Sequence, residues 1–266
     1  MKKLGAALLW VLIGWPIAAQ PDASCVVIYD VEAATYSRSD PAACAARVSP
    51  ASTFKIPHAL IALETGVVTP QTVQKWDGTK YTNRKSWEKA HTLESAIPNS
   101  VLWFFQRTAV RIGPERMHKF LETFGYGNTD TSGAPDQYWI NGTLQISANE
   151  QVEFLKRFYA RDLGVAAQHY DTVVRAMGEP AGGVQNATGI HKLASPWGSD
   201  VELTAKTGAG MARKDPEIRV SWLVGRLSVK GRHYIFASDI VRHGTVDPVD
   251  AARLAFETFR RRKLIE

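Results

Sequence analysis

Ser52 and Lys55 lie three residues apart at the start of a strongly apolar segment that runs from Thr53 to Thr65. Residues at this spacing share one face of a helix, so the hydroxyl and the amine could point into the same cleft. A serine hydroxyl becomes an effective nucleophile when a base takes its proton. Lys55 could be that base if burial keeps its amine neutral or if the amine is chemically modified.

A second motif, formed by Lys206, Thr207 and Gly208, follows a predicted strand. It would offer a cation, a hydroxyl and open backbone to an extended substrate. Each motif alone has a plainer explanation. Ser86 and Lys89 repeat the serine and lysine spacing in a polar, surface-like stretch, so such a pair can also be a helix start followed by a surface charge. A lysine facing solvent before a turn would likewise explain the second motif.

Other common active-site patterns, namely G-x-S-x-G, H-E-x-x-H, the P-loop and the dinucleotide-binding turn, do not occur in the sequence. The two motifs together match the pattern of penicillin-recognising enzymes. At these residues the sequence resembles the class D, oxacillinase-type, serine β-lactamases over essentially the whole mature chain. Tyr126-Gly127-Asn128 and the K-W-D-G sequence at 75–78 are similar to further family motifs. Ser199-Asp200 is followed by valine, so the S-D-N motif of class A enzymes is missing.

The resemblance implies hydrolysis of β-lactam antibiotics through an acyl-enzyme on Ser52, with a carboxylated Lys55 as the general base. The carboxyl group would derive from carbon dioxide, and no metal or other cofactor is expected. The alternative is a covalent β-lactam sensor or penicillin-binding protein that deacylates poorly. The resemblance also implies roles for other residues: proton transfer by Ser100 and Lys206, an oxyanion hole from the backbone N–H groups of Ser52 and Ala209, stabilisation of the modified lysine by Trp139, and substrate binding by Leu102, Tyr126, Thr207, Gly208, Ala209 and Arg253.

Several of these positions have competing interpretations. Leu102 stands where the family usually has valine, and its extra bulk would lie near the lysine pocket. Trp139 precedes a capped helix, where core packing also explains a tryptophan. Arg253 falls on a predicted helix, where a plain surface arginine fits nearly as well. Tyr126 could be structural.

The elements that must position these residues are predicted strands near both ends of the chain and predicted helices in the middle. Predicted strands are C-V-V-I-Y-D (25–30) with a partner strand at Tyr36, V-E-L-T-A-K (201–206), V-S-W-L-V-G-R-L (220–227) and H-Y-I-F-A-S (233–238). Predicted helices are 53–65, 101–112, 114–124, 148–161 with a capping box at Ser147 and Glu150, and a last helix from Asp247 and Pro248. This order predicts an α+β fold in which N- and C-terminal strands form an antiparallel sheet flanked by helices, beside a second, mostly helical lobe.

The first residues follow a different pattern. Lys2 and Lys3 precede an apolar run, and small residues follow at Ala18 and Ala19. This predicts a signal peptide at residues 1–19 and export to the bacterial periplasm, with no stable membrane span. Residues 20–266 would then form one domain with a sheet lobe at roughly 20–65 and 190–266 and a helical lobe at roughly 66–189.

Export makes Cys25 and Cys44 plausible disulfide partners, although two buried thiols are the alternative. The full chain of 266 residues has a formal net charge of +6, and removal of Lys2 and Lys3 leaves 30 basic against 26 acidic residues. This excess is too small to indicate a nucleic-acid partner. The expected partner is a small-molecule β-lactam, and the sequence leaves the oligomeric state open.

Overall fold

The computed structural model describes residues 22–266, so the predicted signal peptide lies outside the described residues. Within them the strands are β1 (Ala23–Asp30), β2 (Thr35–Arg38), β3 (Gly183–Asn186), β4 (Gly189–Lys192), β5 (Val201–Met211), β6 (Ile218–Val229) and β7 (Arg232–His243). The α-helices are α1 (Pro41–Ala45), α2 (Lys55–Glu64), α3 (Leu93–Ala96), α4 (Leu102–Ile112), α5 (Pro114–Phe124), α6 (Ala148–Tyr159), α7 (Ala167–Ala176) and α8 (Asp250–Arg261). None of the helices in this part of the chain has the length and apolar character needed to span a membrane.

The main sheet joins the two ends of the chain, in the order β2-β1-β7-β6-β5 with every pair antiparallel. Tyr36 lies on the partner strand of β1, opposite Tyr29, as the sequence predicted. The three C-terminal strands form the predicted meander. This arrangement, with helices around the sheet, confirms the α+β class.

Both faces of the sheet are buried. On one face α8 packs against β6 and β7, and the rings of Phe236 and Phe259 lie 5.0 Å apart. On the other face α6 packs against β1 and β7. Because neighbouring strand residues point to opposite faces, β7 must be apolar at consecutive positions, as in Ile235, Phe236 and Ala237.

The predicted helices α4, α5 and α6 begin within one residue of their expected starts. The capping box before α6 is present, because Ser147 Oγ accepts the N–H of Glu150 while the Glu150 carboxylate accepts the N–H of Ser147. The last helix begins at Asp250, whereas the sequence predicted Asp247 as its cap and Pro248 as its first residue. Asp247 Oδ1 accepts the N–H of Val249, so this residue forms a turn before the helix.

The strands β3 and β4 and the helices α1, α3 and α7 were not predicted. The hairpin of β3 and β4 and helix α7 lie in the region assigned to helices or left undivided. The hairpin strands have four residues each and no strong apolar alternation, so periodicity gave little signal for them. The division into two lobes at the predicted boundaries remains a prediction.

A disulfide joins Cys25 of β1 to Cys44 of α1, with a Cα to Cα distance of 5.1 Å. Both cysteines are fully buried. The bond ties the helix that precedes the Ser52 segment to an inner strand of the sheet.

Asp239 on β7 is a buried carboxyl group whose Oδ1 has no hydrogen-bond partner among the described residues. Burial raises the pKa of Asp239 from 3.8 to about 8. The folded protein therefore holds a proton that the unfolded chain releases near pH 3.8, and folding stability falls as the pH rises through this interval.

We expect Asp239→Asn to unfold at a higher temperature than the unmodified protein at neutral and mildly alkaline pH. The difference should be near zero at about pH 4 and should grow to the order of a few kcal/mol at about pH 8. Thermal unfolding at several pH values measures it. The exposed Asp200→Asn is the matched control, and a difference that does not change with pH would contradict the assignment.

Candidate active site

Ser52 and Lys55 meet at the junction of two helical segments. Ser52 lies in a short 3₁₀ turn, Ala51–Phe54, and Lys55 is the first residue of α2. Lys55 Nζ lies 2.9 Å from Ser52 Oγ. Ser52 is half-buried and Lys55 is 1% exposed, whereas Lys89 of the second serine and lysine pair is exposed. The structure therefore separates the two pairs that share this spacing.

The surroundings of Lys55 favour the neutral form of its amine. Burial lowers the pKa of Lys55 well below its usual value, and the positive charge of Lys206 lowers it further. The Phe105 ring centroid lies 5.2 Å from Lys55 Nζ. His58 is also buried, and burial followed by the charge of Lys55 lowers its pKa to about 3. A neutral amine can accept a proton from a hydroxyl, which an ammonium cannot do.

Trp139 belongs to the aromatic cluster beside this lysine. Its ring stacks on Phe54 with centroids 5.6 Å apart and meets the ring of His58 edge-on at 5.7 Å. Trp139 is fully buried, yet its Nε1–H has no hydrogen-bond partner among the described residues. An unpaired buried donor is costly, so this N–H is available to a buried acceptor.

The strand β5 carries the second motif along the other side of the site. Lys206 is 1% exposed, and its Nζ donates to Thr207 O at 3.0 Å and Thr207 Oγ1 at 3.2 Å. Burial lowers the pKa of Lys206, and the nearby Glu179 carboxylate partly offsets this effect. Gly208 allows the strand to cross the turn that carries Ser52, because a Cβ atom there would lie 3.1 Å from Pro50 O.

The outer edge of β5 faces the site with free backbone groups. Ala205 N–H donates to Met177 O, and Leu203 O accepts from Glu179 N–H, so these residues turn their backbone groups away from β6. The backbone N–H and C=O groups of successive residues point to opposite edges of a strand. Thr207 and Ala209 therefore point their N–H groups to the same edge as Ala205, away from β6. Beyond the Met177 segment this edge borders the pocket.

Ser100 and Leu102 form the wall that faces β5. Ser100 is 6% exposed and has a backbone φ of 52°, a costly value for a residue other than glycine. Ala51, just before Ser52, has a φ of 47°. Such conformations are typical of functional sites. Leu102 begins α4 and is half-buried.

These residues surround a pocket of about 170 Å³. The lining residues are Ser52, Arg84, Trp87, Ser100, Leu102, Ile140, Asn186, Ala187, Thr188, Thr207, Gly208, Ala209 and Pro248. A larger cavity of about 530 Å³ lies near the C-terminal residues, but Ser52 does not line it. We therefore take the smaller pocket as the candidate active site.

Five predicted site residues lie outside this lining, namely Lys55, Trp139, Lys206, Tyr126 and Arg253. Tyr126 is fully buried and packs against Phe54 and Phe154, with ring centroids 5.8 and 5.1 Å apart. Arg253 donates from Nη1 to Asp247 and to Asp250, each at 2.9 Å. In this arrangement Tyr126 supports the aromatic core beneath Ser52, and the guanidinium of Arg253 is bound within its own helix start.

Sequence reasoning missed Arg84, Trp87 and Asn186, which complete the pocket. Trp87 lies between Ser86 and Lys89, a stretch interpreted as surface, yet it is only 7% exposed. Asn186 lies at the end of β3 before the A-T-G turn. That turn was a usable signal for a hairpin, although nothing in the sequence placed the hairpin beside Ser52.

Comparison with known proteins identifies the family. The profile of penicillin binding protein transpeptidase domains matches residues 25–255. Beta-lactamase OXA-48 of Klebsiella pneumoniae is 38% identical over 192 residues, which is 72% of this chain and 65% of that protein. The crystal structure of the class D β-lactamase YbXI from Nostoc matches with a TM-score of 0.79 and 28% identity over 92% of this chain and 95% of that chain. The chain belongs to the class D β-lactamase family.

Membership in the class D β-lactamase family accounts for the co-occurrence of the S-x-x-K, Y-G-N and K-T-G motifs. The chain spans slightly less than two thirds of the length of OXA-48. A receptor shares the fold of these β-lactamases: the C-terminal domain of the BlaR penicillin-receptor from Bacillus licheniformis matches with a TM-score of 0.80 and 27% identity over 92% of each chain. Among residues 22–266 no group of three or more His, Cys, Asp or Glu side chains could hold a metal ion.

Proposed function

We propose that this protein hydrolyses β-lactam antibiotics through a covalent acyl-enzyme on Ser52. The observation that carries the proposal is the 2.9 Å contact between Ser52 Oγ and the buried amine of Lys55. In the first step Ser52 Oγ loses its proton and attacks the lactam carbonyl carbon, and the carbonyl oxygen takes up negative charge. The N–H groups of Ser52 and Ala209 would stabilise that charge.

Cleavage of the ring bond between carbon and nitrogen requires a proton on the leaving nitrogen. Ser100 lines the pocket, and Lys206 is a buried residue of β5, the strand that borders it. Burial lowers the pKa of Lys206, which eases release of its proton. We assign proton transfer to these two residues. Water then attacks the ester on Ser52 and releases the opened product.

The surroundings of Lys55 fit a carboxylated lysine. Burial favours the neutral amine, which is the form that can react with carbon dioxide, and the Nε1–H of Trp139, unpaired among the described residues, is a donor for an acceptor in this cluster. A carboxyl group on Nζ would supply an anionic base for proton removal from Ser52 and from the deacylating water. Trp139 would hold that group in place.

For the substrate, Leu102 and the strand segment Thr207, Gly208 and Ala209 would contact an extended ligand. The family motif assigns the substrate carboxylate to Lys206, Thr207 and Arg253, with Tyr126 beneath the site. Of these residues Thr207 lines the pocket and offers a hydroxyl to a carboxylate.

We further propose that residues 1–19 direct export to the periplasm. The disulfide between Cys25 and Cys44 supports this proposal, because an oxidising compartment preserves such bonds.

A covalent β-lactam sensor is the second candidate, favoured by the TM-score of 0.80 with the BlaR penicillin-receptor domain. Such a protein would form the same acyl bond on Ser52 and hydrolyse it slowly. The Nε1–H of Trp139, which has no partner among residues 22–266, and the lowered pKa of Lys55 favour the hydrolase, since both support a base that also serves deacylation.

Incubation of the purified protein with a chromogenic cephalosporin tests the function. Sustained turnover supports the hydrolase. A single stoichiometric burst, with a stable adduct on Ser52 detected by mass spectrometry, would support the sensor. Absence of both turnover and adduct would overturn the proposal.

A further inference from the structure

One arginine side chain gives the pocket a positive charge. Arg84 is the only charged side chain among the described residues that line the pocket. Its Cζ lies 5.1 Å from the ring centroid of Trp87, another lining residue, and this contact orients the guanidinium. The adjacent cations Lys80 and Lys85 both pair with Glu88, whereas Arg84 forms no ion pair within residues 22–266.

Asn186 supplies an unused donor to the same pocket. Asn186 is 5% exposed, and its Oδ1 accepts the backbone N–H of Thr188 at 2.9 Å and the Thr188 hydroxyl at 2.8 Å. A backbone N–H can only donate, so this contact fixes which end of the amide is oxygen. The opposite end, Nδ2, is buried without a hydrogen-bond partner among the described residues. A buried donor without a partner is costly, so a ligand acceptor that reaches this wall of the pocket could pair with it.

The two donors lie on segments that touch each other. Ser86 Oγ, two residues after Arg84, donates to Ala187 O at 3.4 Å, immediately after Asn186. No acidic side chain lines the pocket within the described part of the chain. Arg253 differs from Arg84, because its guanidinium is already bound to Asp247 and Asp250.

We propose that Arg84 and Asn186 Nδ2 form a carboxylate-binding subsite for the β-lactam. The inference rests on the proposed function of the pocket. A guanidinium matches a carboxylate with two parallel hydrogen bonds, and the amide would add a third donor. The bound group can be the carboxylate on the ring system or a second carboxylate on the side chain of the drug.

The test uses variants that preserve the surrounding structure. Arg84→Ala removes the cation, and Lys85→Ala removes its exposed neighbour as the matched control. Asn186→Asp keeps the oxygen that binds Thr188 and replaces the free donor with an acceptor. Arg253→Ala tests the arginine that the family motif assigns to the carboxylate.

Three ligands distinguish the source of the carboxylate: benzylpenicillin, its methyl ester, and an α-carboxybenzyl penicillin. Dissociation constants are measured by calorimetry in the Ser52→Ala background, so the result does not depend on turnover. Hydrolysis rates of the Ser52 enzymes are measured in parallel. Failure of the proposed function would appear as no turnover with Ser52 intact, while the binding series still tests the subsite.

If the subsite binds the ring carboxylate, Arg84→Ala and Asn186→Asp weaken binding of both acids by about 10- to 100-fold and leave the ester unchanged. If it binds a side-chain carboxylate, only the α-carboxybenzyl compound loses affinity. Either result supports the proposal, provided that Lys85→Ala has no such effect. The proposal would be overturned if Arg84→Ala and Asn186→Asp weakened binding of all three ligands equally or of none. It would also be overturned if only Arg253→Ala lost affinity selectively for the acids.

Discussion

Replacement of Lys55 with methionine is expected to lower kcat/KM for β-lactam hydrolysis by about 10²- to 10⁴-fold, the usual contribution of a general base. Methionine keeps most of the side-chain volume in the cluster beside Phe105, but it has no atom that can take the Ser52 proton. Steady-state hydrolysis of a chromogenic cephalosporin measures the loss. Single-turnover mass spectrometry then shows whether acylation, deacylation or both have slowed.

Lys89→Met is the matched control, because Ser86 and Lys89 repeat the same spacing with an exposed lysine. The unfolding temperature distinguishes loss of the catalytic base from loss of folding. The pKa of Lys55 is lowered well below its usual value, so burial of this amine costs folding free energy at neutral pH. Lys55→Met removes that cost and should unfold at the same or a higher temperature. An active Lys55→Met enzyme would refute the assignment.

The local motifs were the part of the site that the sequence predicted best. Ser52 and Lys55 are linked by one turn of helix, so their distance follows from their spacing once the segment is helical. Thr207, Gly208 and Ala209 follow from a strand whose apolar pattern was clear. The sheet was predictable for the same reason, since its C-terminal strands are long and strongly apolar.

The missed residues depend on contacts between distant segments. Arg84 and Asn186 are about one hundred positions apart, and only the packing of the hairpin tip against the 84–87 turn brings them to one wall. Arg253, in contrast, was predicted as a site residue, but its contacts in the structure were not. A motif could place Arg253 near the pocket, but its ion pairs with Asp247 and Asp250 depend on where α8 begins. The sequence predicted that start two residues too early.

Replacement of Trp139 with phenylalanine is expected to slow deacylation by about 10- to 100-fold and to affect acylation less. The substitution keeps an aromatic ring against Phe54 and removes the Nε1–H, which has no protein partner in the described structure. Without this donor the carboxyl group on Lys55 would lose a charge-assisted hydrogen bond and revert more readily to free amine. Trp197→Phe, at a partly buried tryptophan that packs on Phe256, is the control.

Two measurements distinguish this positioning role from simple core packing. A ¹³C signal of carboxylated lysine, obtained with labelled bicarbonate, should be present in the unmodified protein and weak in Trp139→Phe. Added bicarbonate should restore part of the lost activity, because mass action refills a weakly held group, and acid should abolish activity reversibly in both proteins. Mere loosening of the aromatic cluster would slow acylation and deacylation alike and would not respond to bicarbonate. Such a result would mean that Lys55 acts as an unmodified neutral amine, as its burial alone permits.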